Sequence, residues 1–330
     1  MTIRETDSGQ LSHPASALTV EENTLSVLKA AYREGRLSKP EYILQSFKSH
    51  KQLFEYVSLL ADTEVHEIRI TECGVRFSIG EEGAELYCPP DEARVAPLEI
   101  MNFGAYERVE TQLLNALAAK SKTVLDVGAN IGVYSIRLAL RFPALQIYAF
   151  EPIPTSYDYL QRNIALNAVG GRVRAFQYAL SDRSGSTTLY IAPGNGTNAS
   201  LQNVANASDA LMVPGLMLKL DDWVRSFGVV PDLIKCDVEG GELLAFQGGR
   251  ETLAAHRPIV FSELLRKWAK GFGYHPNDVL ELFRSLGYRC FAVSEQGCRE
   301  IPFVDEQTNE TNYLFIHPQR HPDAIAELTR

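Results

Sequence analysis

T-V-L-D-V-G-A-N-I-G-V-Y, residues Thr123 to Tyr134, is the stretch from which the fold can be read. Val124, Leu125 and Val127 form a short apolar run of the kind a strand buried on both faces needs. The run stops on Gly128, and Gly128 and Gly132 bracket a turn that has no room for side chains. Val133, Tyr134, Ile136, Leu138 and Leu140 then open an apolar helix. Strand, glycine turn and helix in that order cradle a nucleotide, because a residue without Cβ lets backbone N–H groups approach a ligand.

The spacing of the glycines narrows the choice of nucleotide. A pyridine dinucleotide calls for G-x-G-x-x-G, which settles a pyrophosphate on the helix N-terminus. This chain has G-x-x-x-G with Asp126 ahead of it, and a carboxylate there repels phosphate while suiting an ammonium or sulfonium group and hydroxyls. Beyond a second apolar strand, Ile147 to Phe150, stands Glu151, placed to accept hydrogen bonds from a ribose diol. Asp126 and Glu151 together point to S-adenosylmethionine. An NAD(P)-dependent oxidoreductase would share the sheet, but the chain lacks both G-x-G-x-x-G and a Tyr-x-x-x-Lys pairing for a hydride site.

Working outward, Asn102 to Glu107 leads into a helix striped by Val109, Leu113, Leu114 and Leu117. Its N-terminal loop can reach over the cofactor, which makes Tyr106 and Glu107 candidates for a cofactor lid. After Glu151 the pattern predicts a helix over 154–167 and a third strand over 173–180, with Asp182 just past its end where an adenine would lie. A short strand at 187–191 and a polar loop over 194–215 follow. A fourth strand covers 232–237, a helix 241–256, a fifth strand 259–263 and a helix 277–286 stopped by Gly287. Strands at 288–293 and 313–316 close the chain. Strand-helix alternation implies an α/β fold with a parallel sheet, and the strand-strand ending implies one antiparallel member.

Ahead of this core, residues 1–22 read as an unstructured tail. Residues 24–61 carry apolar residues at helical spacing, and 64–90 alternate with period two, as a small antiparallel meander does. The expected division is therefore a tail over 1–22, an accessory α+β region over 23–95 and a catalytic domain over 96–330.

The chemistry collects at the strand ends, where open parallel sheets bind ligands. Strand four runs on as Asp237-Val238-Glu239-Gly240-Gly241-Glu242, and strand five ends on Glu263. Methyl transfer from a sulfonium is accelerated largely by positioning, but an alcohol acceptor must also lose its proton to a nearby base. Asp237 is the expected base, with Glu239 and Glu263 orienting the acceptor. Such a cluster could hold Mg²⁺ or Ca²⁺ through oxygen ligands, although none is assigned. An amine acceptor is the rival, since carboxylates also orient ammonium groups, and a catalytically silent module that docks a carrier would keep the fold without the reaction. His275 reads either as a helix start or as a residue facing the acceptor.

Composition bounds these readings. The 330 residues carry a net charge of −9 with no basic block, which argues against nucleic acid as a partner. The expected partner is a small-molecule or carrier-bound hydroxylated acceptor. Five cysteines without C-x-x-C spacing read as reduced thiols of a cytoplasmic protein. No stretch approaches the roughly 18–20 apolar residues of a membrane span.

The ordered blocks resemble one family. D-V-G-A-N-I-G-V-Y-S (126–135), A-F-E-P-I-P (149–154), A-L-S-D-R-S-G (179–185), N-A-S-L (198–201), L-D-D-W (220–223), D-L-I-K-C-D-V-E-G-G-E (232–242) and R-P-I-V-F-S-E (257–263) look like the successive motifs of the FkbM family of S-adenosylmethionine-dependent methyltransferases. The resemblance runs from about Asn102 to His317. It implies a class I, Rossmann-like methyltransferase fold, a seven-stranded mostly parallel sheet with the last strand antiparallel, and most often O-methylation of sugars, polyketides or other secondary metabolites. By position it carries cofactor contact onto Asp126, Gly128, Asn130, Gly132 and Glu151, and places 237–240 on the acceptor side. Cys236 departs from the aliphatic residue the family commonly has there. Residues 42–103 are similar to an N-terminal extension of some members, and family membership leaves the acceptor open.

Overall fold

The structure, a computed structural model, describes residues 24–192, 195–203 and 209–328. The chain divides into two compact units, Met1–Ala61 and Asp62–Arg330. The described part of the first consists of α1 (Leu25–Arg33), α2 (Lys39–His50) and α3 (Gln52–Leu60). Thr24 caps α1 through its hydroxyl, and Ser38 with Glu41 forms a reciprocal capping box at the start of α2.

The second unit begins with an antiparallel meander of β1 (Val65–Thr71), β2 (Gly74–Ile79) and β3 (Ala84–Cys88), followed by α4 (Ala96–Phe103) and α5 (Arg108–Ala118). Then come β4 (Thr123–Val127), α6 (Val133–Arg141), β5 (Gln146–Phe150), α7 (Pro154–Leu166) and β6 (Val173–Phe176). A side sheet is built from β7 (Ala179–Leu180), β8 (Gly185–Ala192), β9 (Asn195–Ser200) and β10 (Leu211–Leu218). After α8 (Leu220–Phe227) the core resumes with β11 (Leu233–Cys236), α9 (Glu242–Gln247), α10 (Arg250–His256) and β12 (Ile259–Glu263). It ends with α11 (Arg266–Gly271), α12 (Pro276–Ser285), β13 (Arg289–Ser294), β14 (Gly297–Glu300), β15 (Asn312–Ile316) and α13 (Pro322–Leu328).

The main sheet has the order β14-β13-β15-β12-β11-β4-β5-β6. β4 pairs in parallel with β5 and with β11, and β15 runs antiparallel to both β12 and β13. The seven expected strands are all present in the expected sense; β14, a hairpin partner of β13, is an eighth. From β4 the chain winds outward through β5 to β6, then returns to β11 and winds the other way. The reversal lies between β4 and β11, so their carboxyl ends form the crevice in which this architecture holds ligands. Beneath, Trp223 is fully buried among Tyr148, Phe150, Phe176 and Phe227, with ring centroids 5.1–5.4 Å from its own, a spacing typical of favourable aromatic packing.

Several expectations are revised. The strand predicted over 173–180 breaks after Phe176: its first half edges the main sheet, while Ala179 and Leu180 pair with Met217 and Leu218 of the side sheet. The polar loop over 194–215 contains β9 and the start of β10, with residues 194 and 204–208 outside the described ones. The apolar L-M-V-P-G-L-M-L run, whose Met217 is buried, accounts for β10. The helix predicted over 241–256 is two helices parted at Gly248-Gly249, and position 248 must be glycine, since a Cβ there would stand 1.9 Å from the Ser181 carbonyl oxygen.

The expected boundary at 95/96 also differs from the compact unit that begins at Asp62. The meander is bonded to the core. Asn167 of the α7 C-terminus exchanges hydrogen bonds with the Glu85 backbone, and Asn163 accepts from Tyr87 N–H at 2.8 Å. Arg137 on α6 lies 3.3 Å from Glu64, just before β1, and 3.4 Å from Glu82 in the turn between β2 and β3.

Candidate active site

Backbone bonds fix the turn after β4 before any side chain is considered. Gly128 and Ala129 both donate to the Phe150 carbonyl at the end of β5, at 2.9 and 3.0 Å. Gly128 has φ of +81°, and a Cβ there would fall 1.7 Å from the Asp237 carbonyl oxygen. The glycine is therefore required by the close approach of β11, in addition to any ligand. Gly132, at φ of +92°, starts α6 against Leu160.

Asn130 is left-handed, at φ of +49°, and its N–H donates to Glu151 Oε2 at 2.9 Å. The other Glu151 oxygen accepts from Ile153 N–H at 2.8 Å. Glu151 is buried, and burial pushes its carboxyl up to about 7 against the opposing pull of these two N–H groups. Asp126 is 1% exposed and accepts from the Ser135 hydroxyl at 2.6 Å. Its second oxygen has no hydrogen-bond partner and lies 3.9 Å from Lys235 Nζ.

The carboxyl ends of β4, β5, β11 and β12 open into a cavity of about 330 Å³, the lower end of the range for small-molecule sites. Of the residues expected to bind cofactor, Gly128, Asn130, Glu151, Tyr106 and Glu107 line it. Asp126 and Gly132 stand behind the lining, supporting it. Asp182 is not in the lining: the exit of β7 into the side sheet turns it toward Ser181 and Arg183, while Tyr178, Ala179 and Leu180 take the cavity wall. The lid candidates meet the core directly, since Tyr134 of α6 donates to the Glu107 carboxylate and stands 6.0 Å, centroid to centroid, from Tyr106.

The acceptor-side candidates Asp237, Glu239 and Glu263 all line the same cavity. Asp237 N–H donates to the Val127 carbonyl at 3.0 Å, which places its carboxylate beside the glycine turn. Glu239 is left-handed, at φ of +54°, and its Oε2 is buried without a hydrogen-bond partner. Burial first, then the charge of Asp237, holds both Glu239 and Glu263 well above the usual carboxylate range. Three non-glycine residues with positive φ, Glu107, Asn130 and Glu239, thus border one cavity, and strained backbone of this kind concentrates where function over-determines geometry.

Glu242, the last carboxylate of its run, has a different task. It is 2% exposed and accepts from the N–H groups of Val238 and Gly240, each at 3.1 Å, so it clamps the turn that carries Asp237. Tyr274 reinforces that clamp, its hydroxyl 3.0 Å from Glu242 Oε2. His275 caps α12, accepting from Asn277 N–H, which settles it as a helix start. Among the described residues no group of three or more His, Cys, Asp or Glu is arranged to hold a metal ion, and no helix is long and apolar enough to cross a membrane.

One residue of the site escaped the sequence reading. Lys235 sits inside β11, is 6% exposed and lines the cavity. Its Nζ lies 3.3 Å from the Gly128 carbonyl and 3.5 Å from Asp237 Oδ2. The signal was in plain view: a charged residue in the apolar run Leu233-Ile234-Lys235-Cys236 must be paired to be buried.

Comparison with known proteins gives relatives for this arrangement. Methyltransferase sdnD of Sordaria araneosa is 32% identical over 173 residues, covering 44% of this chain and 66% of that protein. The 2-O-methyltransferase NoeI of Sinorhizobium fredii is 28% identical over 170 residues, 47% of this chain and 68% of that one. The 31-O-demethyl-FK506 methyltransferase FkbM of Streptomyces tacrolimicus is 39% identical over 70 residues, 21% of this chain and 26% of that one. The chain thus spans about two thirds or less of the length of these relatives. Residues 126–290, from the buried carboxylate of β4 to the start of β13, match the Methyltransferase FkbM domain, and with half of its length so matched the chain belongs to the FkbM methyltransferase family.

Proposed function

We propose that the protein is an S-adenosylmethionine-dependent O-methyltransferase acting on a hydroxyl of a sugar, polyketide or other secondary metabolite. The residues fit the cofactor. The backbone cradle of Gly128 to Ile131, a buried Glu151 with lone pairs left over after two N–H bonds, and the carboxylates of the lining all suit a cationic, hydroxyl-bearing ligand. When bound, S-adenosylmethionine supplies a methyl group on a positively charged sulfur. Glu151 would hold the ribose hydroxyls, and Tyr106 with Glu107 would cover the site and exclude water.

The observation that carries the reading is the place of Asp237. Its backbone is bonded to the strand that ends in the glycine turn, and its carboxylate faces the cavity. There it would accept the proton that the acceptor hydroxyl gives up on methylation. Glu239 and Glu263, raised into the neutral form, donate hydrogen bonds that orient the acceptor's other oxygens. The relatives named as O-methyltransferases favour oxygen over nitrogen as the accepting atom. All five cysteines are free, consistent with the cytoplasm as the working compartment.

The test has two arms. Calorimetry with S-adenosylhomocysteine and with NAD should show binding of the first alone; binding of NAD alone would overturn the cofactor. Mass spectrometry of metabolites from cells with and without the gene should show one compound gaining a CH₂ on oxygen. A methyl located on nitrogen would overturn the hydroxyl assignment.

A further inference from the structure

Six carboxylates line the cavity, Glu99, Glu107, Glu151, Asp237, Glu239 and Glu263, and buried Asp126 stands behind them. Against them, Arg94 and Lys267 sit exposed at the rim, and Lys235 is the one buried cation among the described lining residues. An ammonium has three protons to donate. Lys235 has three oxygens around it: the Gly128 carbonyl at 3.3 Å, Asp237 Oδ2 at 3.5 Å and Asp126 Oδ1 at 3.9 Å. The Tyr134 ring closes its remaining side at 5.4 Å. These partners come from different parts of the site. Gly128 and Asp126 belong to the cofactor turn, Asp237 to the acceptor side, and Tyr134 to the helix that bonds the lid residue Glu107.

We propose that Lys235 is a positioning residue for methyl transfer: one buried ammonium clamps the Asp237 carboxylate to the glycine turn, so that base and methyl donor are held in a single geometry. This rests on the reading of the site as a methyltransferase centre with Asp237 as base. Burial weakens the hold of this lysine on its proton, but Asp237, Asp126 and Glu107 more than offset it and raise the group above the usual lysine range. Glu151 and Glu263 also feel its charge. Without Lys235, the Asp126 and Asp237 carboxylates would lose the cation they share, and the turn would lose the donor to its carbonyl.

A double-mutant cycle between positions 235 and 237 tests this without knowledge of the acceptor, using S-adenosylhomocysteine as the probe at pH 6.5 and 8.5. Lys235→Met, which keeps the buried stem and removes the charge, should weaken binding by about tenfold or more at the higher pH, and less at the lower pH where orphaned carboxylates take up protons. Asp237→Asn in the Lys235→Met background should recover at least about threefold of that loss, whereas in the wild-type background it should change affinity by less than about twofold. Additive effects, or a Lys235→Met protein with wild-type affinity and pH profile, would overturn the proposal, since a space-filling lysine predicts both. If Lys235→Met does not fold, Lys235→Gln carries the same cycle. Denaturation midpoints of the ligand-free variants form a second cycle with the same expected coupling. A wild-type protein indifferent to S-adenosylhomocysteine would overturn the cofactor reading instead, and the ligand-free cycle would then decide the Lys235–Asp237 coupling alone.

Discussion

The Asn130 N–H donates to the Glu151 carboxylate across 2.9 Å, so the turn after β4 and the end of β5 form one hydrogen-bonded unit. A ligand seated on the turn therefore meets Glu151 already oriented. Glu151→Ala should weaken S-adenosylhomocysteine binding by about 1.5–3 kcal/mol, the range for a hydrogen bond to a charged group. Calorimetry that finds unchanged affinity would remove Glu151 from the ribose site.

The two glycines of the turn should respond differently to alanine. At Gly128 the new Cβ meets a backbone carbonyl of β11 at 1.7 Å, and neither strand can yield; at Gly132 it meets the far end of the Leu160 side chain at 2.6 Å. Gly128→Ala should cost about 4 kcal/mol or more, and Gly132→Ala about 1–3 kcal/mol, mostly for its positive φ. Equal losses in urea titrations would contradict the crowding argument.

Stability should fall as pH rises. Glu242 is pushed up to about 6 and Glu151 to about 7, with Glu239 and Glu263 also raised. A carboxyl raised on folding contributes its stability below its unfolded pKa and loses it as pH climbs through the folded value. The ligand-free melting temperature should therefore decline from pH 5 upward through the neutral range, as about one proton per raised group is lost, and Glu239→Gln should flatten its upper part. A melting temperature that rises over this range would refute the raised carboxyls.

Arg137 is 7% exposed and holds Glu82, whose side chain is 3% exposed, and Glu64. Removing one partner of a buried pair strands the other charge, so Arg137→Met should destabilise the second unit by about 3–5 kcal/mol. Adding Glu64→Gln and Glu82→Gln should restore much of the loss. No recovery would mean that the arginine acts through packing rather than charge.

What could be read in the sequence was what local pattern dictates. A glycine turn after an apolar run, and carboxylates at successive strand ends, gave β4, β5, β11 and β12 and assembled Asp237, Glu239, Glu263, Glu151, Asn130 and Glu107 around one cavity. What escaped depends on partners far along the chain. Position 248, where the helix parts, is held to glycine by the approach of Ser181, and Asp182 leaves the site because β7 pairs with β10 instead of running on beside β5. Lys235 was overlooked for the opposite reason: its neighbours in sequence are apolar, and only the pairing of β11 with β4 brings Asp126 and Gly128 to it.

Asn163 is fully buried, with its amide oxygen bonded to Tyr87 N–H and its amide nitrogen to the Ile131 carbonyl at the glycine turn. A single side chain thus stitches the meander to the cradle, which sets limits on transplanting this enzyme core into another protein. A graft cut at residue 96 would open that amide and the edge of β3 to water and loosen the turn from beneath, although no residue before Arg94 lines the cavity. A cut in the segment just before Asp62 keeps the stitch intact, and chimaeras built at the two joints should differ in ligand affinity before they differ in sheet content.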